Sequence, residues 1–253
     1  MRFSLALIFA MPLYLSAALT NWSAPQTLFS DSSADGLQPQ IAIHADSQEA
    51  TAIWQAVGEE SVLYAEDFDG SSWGSANSLS TAENHVALKL VLDVSDSFVA
   101  TWSKFMESHW EIEAALRLPG GWSATTSLQT LEGSGENARL SIARSPNGGS
   151  VIAWQDSDAR VHGVSWAGEV FSSPYFLSQE GEVVTTSQTS YAQAAFATAT
   201  DVRITPFDLN HPPSPPISTV AFIRSIVPPS LAFVSDPFTG NSLLSIQDEM
   251  SHA

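Results

Sequence analysis

The aromatic residues are the strongest chemical signal in this chain. Trp22, Trp73, Trp122 and Phe171 follow one another at spacings of 51, 49 and 49 residues, and each is followed, after five intervening residues, by a leucine. Flat apolar faces presented once per repeat would suit stacking on the faces of sugar rings, which makes these four the candidate ligand-binding residues. The competing use is structural, because a large aromatic placed once per repeat can wedge neighbouring sheets together and contributes much of the burial energy. A second series, Trp54, Trp102 and Trp154, runs at spacings of 48 and 52. It closes short apolar runs and reads as core.

No catalytic constellation accompanies the aromatics. Glycoside hydrolysis needs two carboxylates facing each other across a fixed gap, and 27 acidic residues supply many carboxylates but no spacing that singles out a pair. His44, His162 and His211 fall in different repeats, with His85 and His109 sharing one, and the single Gly-x-Ser-x-Gly spelling, Gly70–Gly74, lies in a Gly/Ser-rich turn between strands and not on a strand-to-helix nucleophile elbow. A sialidase would need its Ser-x-Asp-x-Gly-x-Thr-Trp box and a cluster of arginines. The nearest match, Ser145–Trp154, has Asn147 at the Asp position and two extra residues before Trp154, and Arg117, Arg139, Arg144, Arg160, Arg203 and Arg224 have no repeated spacing. Asp67-Phe-Asp69-Gly70 and Asp156-Ser-Asp158 resemble fragments of calcium loops without the further ligands the ion requires. Asp46, Asp93 and Asp236 read as turn formers. The expectation is no catalytic residue, no metal site and no cofactor.

Charge narrows the partners further. Nine Lys+Arg against 27 Asp+Glu gives −18. Without the first segment, whose only charge is Arg2, the balance is 8 − 27 = −19. Such a field repels nucleic-acid phosphates and anionic lipid headgroups. A protein or glycan ligand remains. Residues 1–18 combine Arg2, an apolar run from Leu5 to Leu15 and the small residues Ser16, Ala17 and Ala18, in the order of a secretory signal. Export to the periplasm, the cell surface or the medium follows, with no stable membrane insertion once the signal is cleaved. The chain has no cysteine, so stability must come from packing alone.

The elements that must position the aromatics repeat in step with them. Pro39–Gln55 reads as a β-hairpin ending in Trp54, and Val86–Asp93 and Ala138–Ser145 align with Pro39–Asp46 position for position. A third strand lies in Ser61–Phe68, Trp110–Leu116 and Arg160–Trp166, and each aromatic-to-leucine motif supplies a fourth. Four antiparallel strands in 40–50 residues is the arithmetic of a β-propeller blade. The fourth copy has Phe196 in place of Trp, and its expected fourth strand, His211–Ser218, carries four prolines that restrict it to an edge strand or linker. The last copy is a hairpin only, Pro229–Asp236 with Ser242–Gln247, and Ile246 stands in the Trp position. An orphan strand at Trp22–Phe29 and an orphan hairpin at the other end are complementary. The fold expected is an all-β, five-bladed β-propeller over residues 19–247 whose N-terminal strand completes the last blade, with an open four-blade arc as the alternative and residues 248–253 as a tail.

The pattern Pro-x-[Ile/Leu]-Ala-[Ile/Phe]-x-x-Asp…Ala-x-Ile-Trp, followed by Trp-x-x-x-x-x-Leu-Ser, resembles tandem repeats of exported bacterial proteins read as β-propellers. That resemblance implies a fold and brings no catalytic residue with it. The functional expectation is a non-enzymatic exported module that binds a protein or glycan through one face of the ring. A glycoside hydrolase with acids in the central channel, or a structural surface module without a ligand, are the competing readings.

Overall fold

The computed structural model describes residues 27–28, 35–44, 47–92, 97–132, 140–144, 150–156, 158, 160–167, 170–178, 183–188, 192–197, 201–206, 218–222, 230–235 and 242–247. The expected signal segment, Trp22, the strand around Trp22–Phe29 apart from residues 27–28, the turn aspartates Asp46, Asp93 and Asp236, and the tail lie outside the described residues.

Every regular element among the described residues is a strand. Sheet 1 runs β1 (Asp35–Ile43), β2 (Ala50–Val57), β3 (Ser61–Phe68) and β4 (Asn77–Ala82). Sheet 2 contains β5 (Asn84–Leu92), β6 (Phe98–Met106), β7 (His109–Leu118), β8 (Gly121–Trp122) and β9 (Thr126–Glu132). Sheet 3 repeats that plan with β10 (Leu140–Arg144), β11 (Ser150–Gln155), β12 (Val161–Ala167), β13 (Val170–Phe171) and β14 (Tyr175–Ser178). Sheet 4 is β15 (Val183–Gln188), β16 (Ala192–Ala197), β17 (Asp201–Pro206) and β18 (Ser218–Phe222), and a two-stranded sheet 5 is β19 (Ser230–Ser235) with β20 (Ser242–Gln247). Each strand pairs antiparallel with its sequence neighbour, except that in sheets 2 and 3 the outer strand is split, so that β8 and β9 both pair with β7, and β13 and β14 both pair with β12.

The sheets are stacked through their first strands: β1 lies against β5, β5 against β10, β10 against β15, and β15 against β19. The first strand of every sheet is therefore the innermost, as in blades set around an axis. Strand alternation divides each sheet into two faces. Ile53, Leu63 and Ala65 of sheet 1 pack with Ala100, Trp102 and Ala115 of sheet 2. Ile112, Ala114 and Leu128 of sheet 2 pack with Ile152, Trp154 and Val164 of sheet 3. Val151, Ala153 and Leu177 of sheet 3 meet Ala194 of sheet 4. Trp102 and Trp154 thus face the preceding sheet while their β-strand neighbours face the following one, so both are buried wedges, as their series implies.

The marker aromatics also have a structural explanation. In the outer strand, Ser123 N donates to Leu116 O at 2.8 Å and Ser172 N to Ser165 O at 2.7 Å, while each serine hydroxyl accepts from the backbone N–H of that same β7 or β12 residue at 3.1 Å. The serine after the aromatic fills the gap where the outer strand breaks its register, and satisfies a backbone donor there. In sheet 1 the position is Gly74, whose N–H donates to Asp67 O at 2.9 Å.

Two expectations need correction. The hairpin alignment slips by two residues: Ile41 pairs with Ala52, two before Trp54, and the residues holding that place before Trp102 and Trp154 are Leu90 and Ile142, not Leu88 and Leu140. A slip of two keeps every side chain on its face, so the hydrophobic pattern cannot detect it. The fourth strand of sheet 4 is Ser218–Phe222, beyond the prolines of His211–Ser218, since proline cannot donate to the ladder.

Candidate functional site

Between sheets 1 and 2, at the end where β2 and β6 begin and β3 and β7 finish, the stacking opens into a cavity of about 420 Å³. Its lining includes Thr51, Asp67, Asp69 and Glu49 from sheet 1 and its loops, and Phe98 and Arg117 from sheet 2. Thr51 and Asp67 are cross-strand partners on β2 and β3, and Thr51 Oγ1 donates to Asp67 Oδ1 at 2.6 Å. Across the gap, Arg117 Nε donates to Asp67 Oδ2 at 2.5 Å, with both side chains about a quarter exposed, at 26% each. A guanidinium N–H of Arg117 also donates to Leu118 O. Trp122 sits opposite Arg117 in the β7–β8 pairing, hence on the same face, with its body against the core cluster of sheets 1 and 2.

Why the stacking opens here can be read by comparing equivalent positions. Val99 and Leu116 of sheet 2 hold the places of Thr51 and Asp67, being three before the wedge tryptophan and its cross-strand partner. Trp166 of sheet 3 holds the place of Arg117, each lying opposite the marker aromatic. Val99, Leu116 and Trp166 form a closed apolar cluster with Phe171 packed against it. Sheets 1 and 2 replace that trio with Thr51, Asp67 and Arg117. An ion pair hydrated at its rim does not collapse as an apolar trio does, and the gap stays open.

The loop after β3 forms one rim. Asp69 Oδ1 accepts from Ser71 N, Ser71 Oγ and Ser72 N at 2.7–2.8 Å, and Gly70 supplies the left-handed conformation, φ 91°, that the turn requires. The Ser71 hydroxyl and the Ser72 and Ser71 N–H groups hold the Asp69 carboxyl down at about 2, so it is ionised at any ordinary pH. Glu66, beside Asp67 in sequence, faces the other side of the sheet. Burial first, and the Asp67 charge second, raise its carboxyl above the ordinary value.

The opposite end of the same inter-sheet seam is also polar, but filled. His85 is fully buried, its Nδ1 2.8 Å from Ser61 Oγ, which in turn accepts from Gln55 Nε2 at 2.9 Å. Lys104 Nζ lies 2.7 Å from Glu113 Oε1 and 3.1 Å from Glu111 Oε2, and Glu113 Oε2 accepts from Trp102 Nε1 at 3.0 Å. Burial, and then the Lys104 charge, push His85 down to about 4. These groups lock the two sheets in register.

The four aromatics expected to form a ring of exposed faces are placed as follows. Trp22 lies outside the described residues. Trp73 is half-buried against Phe68, ring centroids 5.4 Å apart, Trp122 is half-buried beside the cleft, and Phe171 is half-buried in the closed seam between sheets 2 and 3. None of the three described lines the cavity itself: Trp122 pairs with Arg117 and Trp73 packs on Phe68, and Arg117 and Phe68 are the lining residues. Thr51 has no mark in the sequence, and Asp67 and Arg117, weighed there for calcium and for a carboxylate clamp, are not linked to each other by it, although a signal is present: the residues five before the marker aromatics are Phe68, Arg117 and Trp166, a cation between two aromatics. In the calcium-like fragments the carboxylates have other partners: Asp69 is held in its turn, Asp67 meets Thr51 and Arg117, Asp156 Oδ1 accepts from Asp158 N and Arg160 N while its Oδ2 meets His162 Nε2 at 2.8 Å, and Asp158 pairs with Arg160. Among the described residues, no group of three His, Cys, Asp or Glu side chains could hold a metal ion.

No protein-family model and no curated protein matches the sequence. Solved structures do match in shape. The fucose-specific lectin from Aleuria aurantia superposes with a TM-score of 0.50 at 14% identity, over 80% of this chain and 67% of that one. The fold is a β-propeller. A second structure of that lectin, described as a six-bladed β-propeller, matches with a TM-score of 0.48 at 14% identity over 84% of this chain and 70% of that one. The Hadza microbial sialidase Hz136 matches with a TM-score of 0.44 at 8% identity, over 69% of this chain but only 43% of its own length. At these identities the likeness speaks for the propeller architecture alone.

Proposed function

We propose that this propeller is an exported, non-enzymatic glycan-binding module, and that its site is the cleft between sheets 1 and 2. The observation that carries the reading is the replacement of an apolar seam by Thr51, Asp67 and Arg117 beside Trp122. Arg117 keeps guanidinium N–H donors beyond those engaged by Asp67 and Leu118, and Asp67 keeps acceptor capacity beyond its bonds to Thr51 and Arg117. A donor and an acceptor side by side match adjacent sugar hydroxyls, and Phe68 and Phe98 in the lining, with Trp122 paired to Arg117 behind it, supply apolar surface for a pyranose. The solved lectin with the same architecture is fucose-specific by its own description, which makes a glycan the first ligand class to test.

The chemistry of the cleft favours binding over hydrolysis. A glycosidase needs a carboxylic acid held protonated, hence with a raised pKa. In the cleft Asp69 is driven the other way, Asp67 is tied to Arg117, and the carboxyl that burial raises, Glu66, faces away. The test is a glycan array followed by titration of tryptophan fluorescence. The reading expects at least one saccharide to bind and to perturb the emission, with the change lost in Trp122→Phe and binding lost in Arg117→Ala. An array without a ligand for the folded protein overturns it.

A further inference from the structure

We infer that the cleft selects uncharged saccharides and rejects acidic ones, an inference that rests on the glycan-binding reading above. The cleft brings together Glu49, Asp67, Asp69 and a single cation, Arg117, among the residues that line it. Arg117 is already compensated by Asp67 at 2.5 Å, so its charge is not free to clamp a ligand carboxylate. Its remaining N–H groups act as hydrogen-bond donors in a pair of no net charge. Glu49 and Asp69 are exposed on the rim, and among the described residues no cation is paired with either of them, which leaves two negative charges at the cleft beyond the Asp67–Arg117 pair. Asp69 stays ionised because three turn donors hold its carboxylate. The whole chain, at −18, adds a field of the same sign. A uronate, sialic acid or sulfated sugar would bring its charge against this rim. A neutral pyranose of the same ring would not.

Two carboxylates about 7 Å from a ligand carboxylate, at an effective dielectric constant between that of a protein surface and water, weaken the acidic ligand by about tenfold at low salt. In 0.5 M NaCl the screening length falls to on the order of 4 Å and most of that penalty disappears.

Matched pairs isolate the effect: the methyl glycosides of glucose, galactose and mannose against the methyl glycosides of their uronic acids, which differ only at C6. Association constants are measured by calorimetry in 20 mM and 0.5 M NaCl for the full chain and for Glu49→Gln/Asp69→Asn. The expected result is that at least one neutral member binds and its uronate binds about tenfold more weakly, with the ratio falling below threefold in high salt and in the double variant. A uronate that binds as well as or better than its neutral partner overturns the inference while leaving the glycan reading intact, and so does a ratio unchanged in the double variant. If no member of any pair binds, and the glycan array is also blank, the glycan reading falls and takes this inference with it.

Discussion

Mild acid should loosen this propeller at one identifiable residue, His85. The imidazole is fully buried between sheets 1 and 2, accepting or donating one bond with Ser61, while its Nε2 has no partner and Lys104 lies across the strand pair. Burial, then Lys104, lower its folded value from 6.5 to about 4. In the unfolded chain it recovers the ordinary value, so the unfolded state binds the proton first and stability falls as the pH drops below 6.5 towards 4. A shift of one unit corresponds to 1.36 kcal/mol, so the loss between pH 7 and pH 5 is about 2 kcal/mol, rising to about 3 kcal/mol at pH 4. Three acidic groups bear on the comparison. Asp69 is held near 2, and although burial opposes the ionisation of Glu111, Lys104 and His109 hold its carboxyl below 4.5, while Glu66, raised by burial and then by Asp67, takes its proton first in the folded chain and offsets part of the loss. His85→Asn leaves all three in place, so the difference between the two proteins isolates His85. The assay is urea unfolding followed by tryptophan emission at pH 7, 6 and 5, for the wild type and for His85→Asn. The variant starts about 1–2 kcal/mol less stable, having lost a buried polar fit, but it lacks the loss of about 2 kcal/mol that His85 adds in the wild type between pH 7 and pH 5. A wild-type slope that persists undiminished in His85→Asn refutes the assignment.

Other perturbations separate wedge, lock and site. Trp154→Ala removes a fully buried wedge that also bonds Gln129 Oε1 at 2.9 Å, and should cost about 3–5 kcal/mol in urea unfolding. Trp122→Ala, half-buried, should cost about 1–2 kcal/mol while lowering glycan affinity at least tenfold, so stability and binding part company at these two tryptophans. Lys104→Met strands the buried Glu113 carboxylate and should cost about 3–5 kcal/mol, and adding Glu113→Leu should recover most of that, since an apolar pair replaces the ion pair at little net cost. Double-mutant analysis by thermal melting checks the recovery; its absence means the network does more than pair charges. Converting the polar trio to its apolar counterpart with Thr51→Val, Asp67→Leu and Arg117→Trp should close the cleft and raise stability by about 2 kcal/mol, the transfer gain less the strain of fitting a tryptophan beside Trp122.

Much of this architecture was legible in the chain itself. The period of about fifty residues is written in the Trp54 and Trp73 series, and Ser61–Phe68 and Ser242–Gln247 match β3 and β20 residue for residue. A wedge tryptophan is readable because three successive repeats carry one in the same place, at Trp54, Trp102 and Trp154. Hairpin register was not readable, because a shift of two leaves inward and outward faces unchanged and only the turn length, hidden in Gly, Ser and Asp, decides it. The outer strand of sheet 4 lies beyond the repeat position His211–Ser218 because the prolines there have no N–H to donate, and pairing begins where the donors return at Ser218. The cleft was harder still. Thr51, Asp67 and Arg117 belong to two repeats and meet only when sheets 1 and 2 stack, and a functional position is where a repeat departs from its own consensus, as Arg117 does from Phe68 and Trp166. The aromatics drew notice through regularity, whereas the chemistry lay in the exception.

The decisive measurement is a calorimetric titration of the tightest-binding glycan from an array against the wild type and the Thr51→Val/Asp67→Leu/Arg117→Trp variant, with both shown to be folded by near-UV circular dichroism. With the polar gap between sheets 1 and 2 as the binding site, the wild type gives a saturating isotherm and the folded variant gives none. Equal affinity in the two proteins would contradict the account and move the site elsewhere on the propeller.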